Sequence, residues 1–357
     1  MQLALINKIL RIDEKLRIFD KPHAKKISDI EISGESLFIT CTGFEERSIA
    51  ALKQISHING KSLHVIIFDY LPFYKQNRLE EMVHICKRHH ITIDKIIYDR
   101  ENPTGVYDDF NKVLKTQVKR IYIDISGMSR LLIIQMLVSY YMQKRSFEGI
   151  SIIYTEAKEY PPTKESVKRQ ASENIEGLSR TAMFISSGVF DVAIVPELAS
   201  VVMQGQPVRL IMFPSFNCQQ LVALQSVIQP HYLTFIHGVP LLKKNCWRTD
   251  AIKNLNSIET IPSKEEHYLS TFYYEETLDL LLDIYNKYNK EQKLVIAPTG
   301  SKMQSVAVGI FRAFMEDVQI VYPTPISFNE PEKYTLGVKQ IYKIDLDAFN
   351  IFQEKST

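Results

Sequence analysis

Twice in this chain a short, unbroken apolar run ends in a small polar turn holding one glycine and passes directly into an apolar helical pattern. The later copy spans residues 294–314, LVIAPTGSKMQSVAVGIFRAF, and the earlier one residues 120–142, RIYIDISGMSRLLIIQMLVSYYM. An apolar run without polar alternation predicts a strand covered on both faces, as in a parallel sheet. In the later copy Met303, Val306, Ala307, Ile310 and Phe314 recur at helical spacing and predict the inward face of a helix. The turn before them presents backbone N–H groups and the positive end of a helix dipole, which suits an anion, and Lys302 adds a full charge there. The same turn has a purely structural use, because Ser301 followed three residues later by Gln304 is a capping box.

Around these two copies strand and helix alternate. Strands are predicted at 36–41, 63–70, 95–99, 120–125 and 149–154, with helices near 49–55, 75–90, 107–116 and 131–142 between them. The pattern restarts with strands at 209–213, 231–236, 294–297 and 318–323 and helices at 218–228, 274–288 and 302–314. Matching element types places Phe216 172 residues after Phe44, Gly300 173 after Gly127 and Tyr322 168 after Tyr154. Near-equal offsets of this kind mark an internal repeat. The expected fold class is therefore α/β, with two tandem Rossmann-like, doubly wound, mostly parallel sheets forming a pseudo-repeat. The first unit is expected at 35–163 and the second at 208–357. An N-terminal helical segment, 1–34, is expected on the outside of the first unit, with Leu5, Ile9, Ile12 and Leu16 on one face. A linker or bridging segment, 164–207, would join the units, its part from 179 to 206 offering another helix and a strand. A chain of 357 residues is long enough for two domains, each with its own core.

The totals narrow the function classes. A formal charge of +2 gives no electrostatic case for direct nucleic-acid binding or for a membrane surface. Cys41, Cys86, Cys218 and Cys246 are scattered, which fits neither a disulfide framework nor a zinc ribbon. The longest apolar tract, 131–142, is too short to cross a bilayer, and the N-terminal stretch carries charges at short intervals without a cleavage site. A soluble, cytoplasmic protein is expected. His84, Cys86, His89 and His90 fall on one predicted helix with no second ligand cluster, so no metal is expected. Trp247, in the stretch KKNCWRTD with Lys243, Lys244 and Arg248, reads as a surface aromatic beside solvated charge, with flat recognition of a base as the alternative. Arg17 and His23 have the spacing of the Arg-x4-6-His motif of HEPN ribonucleases, but Pro22 would interrupt the helix that motif occupies.

In a doubly wound sheet, ligands bind beyond the carboxyl ends of the strands, near the switch in strand order. The first strand of each unit delivers Thr42, Gly43, Phe44 and Arg47, and then Ser215 and Asn217, to that edge. The fourth strand delivers Ser126, Gly127, Ser129 and Arg130, and then Thr299, Gly300, Ser301 and Lys302. Hydroxyls and N–H groups at helix starts hold phosphate oxygens, and Arg47, Arg130 and Lys302 would neutralise them. Asp124, two residues before its turn, is a candidate to hold a ribose hydroxyl or order the loop, and either Asp124 or Glu46 is a candidate general base. Two structural alternatives stand beside these roles: Thr42 and Glu45 as a capping box, and Arg130 salt-bridged to Asp124.

At these residues a family resemblance enters. The strand, then Thr299-Gly300-Ser301-Lys302, then an apolar helix resembles the fourth strand and following turn of CRISPR-associated Rossmann-fold (CARF) sensors, whose pattern is close to Thr-Gly-Gly-Thr-Lys. Ser126-Gly127-Met128-Ser129 resembles it less closely, with Arg130 near the place of the Lys, and Thr42-Gly43-Phe44 sits where those sensors have their first-strand loop. Ser301 and Met128 replace the second Gly. The resemblance implies binding of a nucleotide second messenger, such as a cyclic oligonucleotide, in prokaryotic antiviral defence, with a partner effector protein. Family members pair two copies to build one pocket, and two units here would make a pseudo-symmetric pocket in one chain. Residues after Gln340 read as a closing strand and tail.

Three functions remain open on the sequence. One is a nucleotide-recognising sensor acting through a partner; another is an enzyme that cleaves or transfers a nucleotide or nucleotide sugar; the third is a scaffold that presents surfaces to a partner. No Walker A, phosphoribosyl-diphosphate or GxGxxG signature is present, and no cofactor is expected.

Overall fold

The computed structural model describes residues 11–32, 34–56, 62–74, 76–114, 118–143, 147–172, 186–257, 263–328 and 335–353. The first sheet contains β1 (Lys25–Ile27), β2 (Ser36–Cys41), β3 (Leu63–Leu71), β4 (Thr92–Asp99), β5 (Arg120–Asp124) and β6 (Gly149–Glu159). The second contains β7 (Val208–Met212), β8 (Tyr232–Val239), β9 (Lys264–Ser270), β10 (Lys293–Ala297) and β11 (Gln319–Ile320). A last strand, β12 (Leu336–Asp345), follows. The helices used below are α1 (Ile12–Ile18), α2 (Leu79–Arg88), α3 (Val106–Val113), α4 (Arg130–Tyr141), α5 (Gln219–Ile228), α6 (Trp247–Leu255), α7 (Tyr274–Tyr288) and α8 (Lys302–Phe314).

The parallel part of the first sheet runs β4-β3-β2-β5-β6, and the second sheet runs β9-β8-β7-β10-β11, parallel throughout. Counted within each unit, both orders are 3-2-1-4-5, so each sheet reverses direction between its first and fourth strands. The central strands are unbroken apolar runs because both of their faces are covered: every residue of β2 and of β10 is buried. The α/β, doubly wound class and the repeat of one topology thus stand in the strand order itself.

Three expectations about the boundaries change. The strand β12 does not close the second unit. It pairs antiparallel with β6, and β1 pairs antiparallel with β12, which carries the first sheet to seven strands. The reason is edge protection: β6 would otherwise expose an eleven-residue row of unpaired backbone groups. The N-terminal helix lies against the second unit, not the first. Arg17 of α1 reaches Asp279 at 3.4 Å and Asp283 at 2.7 Å, both on α7, and Lys21 reaches Asp279 at 2.8 Å. Its expected positions Leu5 and Ile9 lie outside the described residues, as does 173–185 of the bridging segment. From that segment Lys164–Ser172 is helical, and Asp191–Ala193 forms a short antiparallel pair with Tyr322–Thr324.

The third change concerns the core. The largest apolar cluster is shared between the units: it runs from Leu37 and Ile121 of the first sheet, through α4 and α8, to Ile211 and Ile296 of the second. On α4 every residue from Leu131 to Tyr141 is buried. A helix apolar all round is one covered all round, here by its own sheet on one side and α8 on the other. Gly309 permits that approach. A Cβ placed there would lie 2.7 Å from Leu137 Cδ1 and 3.3 Å from the Ile134 Cα. Gly309→Val is therefore expected to wedge α4 from α8 and lower the unfolding free energy by about 1–3 kcal/mol. Urea titration followed by far-UV circular dichroism reads this directly, and an unchanged midpoint would show that the two helices are not closely packed.

Candidate functional site

The carboxyl ends of the two sheets open on one shared cleft of about 440 Å³, within the size range of small-molecule sites. The turns singled out in sequence meet there. Thr42, Gly43, Phe44, Arg47, Gly127, Ser129, Arg130, Ser215, Asn217, Thr299, Gly300, Ser301 and Lys302 all line it. Chain segments up to 260 residues apart are thus brought to one surface by the common reversal point of the two sheets.

Beneath the cleft the two fourth-strand turns hold each other. Ser129 caps α4 by accepting from the Leu132 N–H, and Ser301 caps α8 by accepting from the Gln304 N–H. The first residue of each helix is a cation, and each reaches the carbonyl just before the other helix's cap. Arg130 Nε donates to the Gly300 carbonyl, and Lys302 Nζ donates to the Met128 carbonyl. The capping box at Ser301 and Gln304 is present in full, while the one considered at Thr42 and Glu45 does not form. Thr42 Oγ1 instead donates to Asp69 at 2.9 Å, and Glu45 pairs with Arg47 at 2.9 Å and accepts from Thr335. No Arg130–Asp124 salt bridge forms either, because Arg130 points to the opposite unit.

Three sequence-stated candidates are not on the cleft wall. Ser126 is fully buried; its hydroxyl donates to Asp124 and accepts from the Thr155 N–H at 2.8 Å. Asp124 is likewise fully buried under the turn, where it also accepts from the Ser126 N–H at 3.0 Å. It orders the loop, as one of its two expected roles had it, and does not face the cleft as a general base would. Glu46 is exposed and borders a separate depression with Lys53 and Arg78. A one-residue step along the short 3-10 turn Glu46–Ser48 sends Arg47 inward and Glu46 outward.

Residues that sequence reasoning passed over complete the wall. Arg100 follows β4, its guanidinium 4.0 Å from the Tyr70 ring centre. Arg248, read from sequence as solvated charge, crosses from the second unit to the first. It donates to the carbonyls of Tyr160 at 2.8 Å, Pro161 at 3.0 Å and Pro162 at 2.9 Å, over the rings of Phe216 and Trp247. Trp247 itself is half-buried against Phe216, not a surface aromatic. The available signal was position: Arg100 stands just past the end of a predicted strand, where ligands gather. For Arg248 no local signal existed, since its carbonyl partners lie 86 to 88 residues away.

The electrostatics are one-sided. Among the described residues, Arg47, Arg100, Arg130, Lys158, Arg248 and Lys302 line the cleft against two carboxylates, Glu45 and Glu156. Both carboxylates are already paired, Glu45 with Arg47 and Glu156 with Lys339 at 3.0 Å. Burial, together with the nearby charges of Arg47 and Arg130, pulls the Lys302 ammonium down to about 7, against the opposing pull of Glu45. Burial lowers Arg248 to about 10. Aromatic faces stand beside the cations: Phe44, Tyr98, Tyr154, Tyr160, Phe216, Phe272 and Tyr322. The arrangement can hold an anion that carries a flat apolar part. Among the described residues no three His, Cys, Asp or Glu side chains are placed to share a metal ion, and no helix is long and apolar enough to cross a membrane.

No family model matches the chain, and no curated protein does. Among solved structures, the cytoplasmic domain of a prokaryotic cation chloride cotransporter is similar at 11% identity and a TM-score of 0.24, covering 82% of this chain and 95% of that one. An N-terminal ketoreductase from a macrolactin assembly line is similar at 12% identity and a TM-score of 0.22, covering 89% of this chain and 78% of that one. Overlaps this slight carry no argument about the site, whose reading rests on its own geometry.

Burial raises the Asp124 carboxyl to about 6 against the opposing bonds from Ser126. Between its unfolded value of about 3.9 and that folded value, the native state holds a proton that the unfolded chain lacks. Asp124 thus contributes stability that is fully present below about pH 4 and lost as pH rises through about 6. Replacing it by Asn keeps the oxygen that Ser126 needs and removes the titration. Denaturation midpoints taken from pH 4 to 6.5 are expected to lose a slope on the order of 1 kcal/mol per pH unit in Asp124→Asn. Parallel curves for the two proteins would mean that Asp124 does not titrate there.

Proposed function

We propose that this protein binds a nucleotide in the cleft between its two Rossmann-like units and acts as a sensor or regulator through a partner. The observation that carries the reading is the lining of that cleft: among the described residues, six cationic side chains against two carboxylates that are themselves paired, interleaved with aromatic rings, at the reversal points of both sheets. Phosphates are met by charge-assisted donors and helix N-termini, and a base by ring faces. Binding is favoured over turnover because both general-base candidates, Asp124 and Glu46, lie off the cleft wall. The resemblance of the two fourth-strand turns to CARF sensors extends the proposal to prokaryotic antiviral defence with an effector protein as partner.

Thermal-shift measurement against mono-, di- and cyclic nucleotides, with nucleosides and inorganic phosphate as controls, tests the reading. A ligand at a hundredfold its dissociation constant stabilises the native state by about 2.7 kcal/mol. Arg130→Ala is expected to weaken the stabilising nucleotide by about 1–3 kcal/mol through loss of a charged donor, while Glu46→Ala leaves affinity unchanged. Equal calorimetric isotherms for wild type and Arg130→Ala, or no stabilisation by any nucleotide, would end this reading. Mass analysis of the recovered ligand separates a binder from an enzyme.

A further inference from the structure

The two fourth-strand turns are built to one plan but are not chemically equivalent. In α4 the cap Ser129 is followed by Arg130, Leu131 and Leu132; in α8 the cap Ser301 is followed by Lys302, Met303 and Gln304. The third helical position is therefore an apolar side chain in one unit and an amide in the other. Gln304 is 2% exposed. Its Oε1 accepts from the Ser301 N–H at 2.8 Å, which fixes the orientation of the amide, because only the oxygen can accept. Gln304 lines the cleft, and the Nε2 that remains is buried with no hydrogen-bond partner among the described residues. A buried donor without an acceptor is a polar group awaiting one.

Other donors converge on the same turn. The N–H groups of Lys302 and Met303 open α8 with no backbone acceptor among the described residues. Arg130 crosses from the first unit to the Gly300 carbonyl through Nε, and its two Nη groups hold no bond to any described residue. Gly300 lets the pieces close up, since a Cβ there would fall 2.9 Å from Phe213 Cβ and on top of the Gln304 amide oxygen. The first turn opens α4 with the Arg130 and Leu131 N–H groups, also without a backbone acceptor among the described residues, but Leu132 stands where Gln304 does, so no side-chain amide joins them, and the other donors of that turn are used internally. The Ser129 N–H donates to the Tyr70 hydroxyl at 2.6 Å, the Met128 N–H donates to the Ile125 carbonyl at 3.1 Å, and the Ser126 hydroxyl is held by Asp124 and Thr155.

We infer that the cleft holds a single phosphoryl subsite, at the N-terminus of α8, and that it takes a terminal phosphate, a phosphomonoester. Its donors are Gln304 Nε2, the first N–H groups of α8 and the Nη groups of Arg130, with Lys302 beside them. Three non-bridging oxygens match a donor set of this size; a phosphodiester offers two. The pseudo-symmetric fold thus receives an asymmetric ligand, anchored by its phosphate in the second unit with the rest of the molecule lying toward the aromatic faces. This inference rests on the nucleotide reading for the nature of the rest of the ligand, and on the turn alone for the phosphate.

Gln304→Glu tests it. Glutamate keeps an oxygen for the Ser301 N–H and so preserves the capping box, but replaces the buried donor with an acceptor that repels phosphate. Three probes are titrated calorimetrically into the wild-type protein and this variant: inorganic phosphate, adenosine 5′-monophosphate and 3′,5′-cyclic adenosine monophosphate. The expected result is that the wild type binds the 5′-monophosphate at least tenfold more tightly than the cyclic diester. Gln304→Glu should weaken phosphate and the 5′-monophosphate at least tenfold with no fall in melting temperature. Should the cyclic diester bind as tightly as the monoester, or Gln304→Glu bind phosphate as the wild type does, the subsite is overturned. Phosphate binding that is lost in Gln304→Glu, with no gain from the nucleoside, keeps the subsite and removes the nucleotide reading. Nucleotide binding that ignores Gln304→Glu does the reverse. If Gln304→Glu melts early, Gln304→Met, which has similar volume and no donor, is read in its place, and unweakened phosphate binding by that variant also overturns the subsite.

Discussion

Everything that gives this molecule a site depends on two helix N-termini holding each other's turns. Arg130 begins α4 and donates to the Gly300 carbonyl; Lys302 begins α8 and donates to the Met128 carbonyl. The exchange is reciprocal, as in an isologous contact between two subunits, although both partners here belong to one chain. It works only because the helix bodies behind it lie close together, with Gly309 against Leu137 and Ile134 and a common apolar cluster around them. Packing of the bodies sets the separation of the turns. The separation of the turns brings the carboxyl edges of the two sheets to one cleft.

That constraint also explains how a nearly neutral chain presents a cationic cleft. A formal charge of +2 over 357 residues carries little field on average. Joining the two reversal points concentrates Arg47, Arg100, Arg130, Arg248 and Lys302 at one place, where burial weakens screening. The response of the buried groups follows: Lys302 falls to about 7, and Arg248 to about 10 while bonded to three carbonyls. Asp124, under the first turn, moves the other way, to about 6, because its desolvation outweighs its two bonds from Ser126. Around the cleft the outer elements serve as ties: α1 is ion-paired to α7 of the second unit while β1 completes the first sheet.

Much of the site was legible because its residues obey local rules. A strand's carboxyl end followed by a cap and a helix is a short-range pattern, and Thr42, Gly127, Ser129, Thr299 and Lys302 were named from it and stand on the cleft wall. Local rules do not assign inside and outside on an irregular turn, which is why Glu46 and Arg47 could not be separated in advance. Nor do they tell a polar residue under a turn from one on top of it, and so Ser126 and Asp124 were placed too near the cleft surface. Gln304 was recognised as a cap, but its amide nitrogen, without a partner among the described residues, becomes meaningful only once the lining of the cleft is known.

The sequence by itself determined the class of structure, since continuous apolar strands alternating with helices at matching offsets leave few architectures other than two doubly wound parallel sheets. It also determined where the polar turns fall along the chain. What only the tertiary structure decided is which turn meets which, and which edge each outer strand joins. The strand β12 reads from sequence as the end of the second unit, yet its hydrogen bonds go to β6, 183 residues away at the Lys339–Glu156 contact. A strand's own residues specify its alternation but not its neighbour, because the energy of pairing belongs to two segments and to the edge that would otherwise stay open. The shared cleft has the same origin. It belongs to neither unit's sequence, and exists because α4 and α8 bury each other.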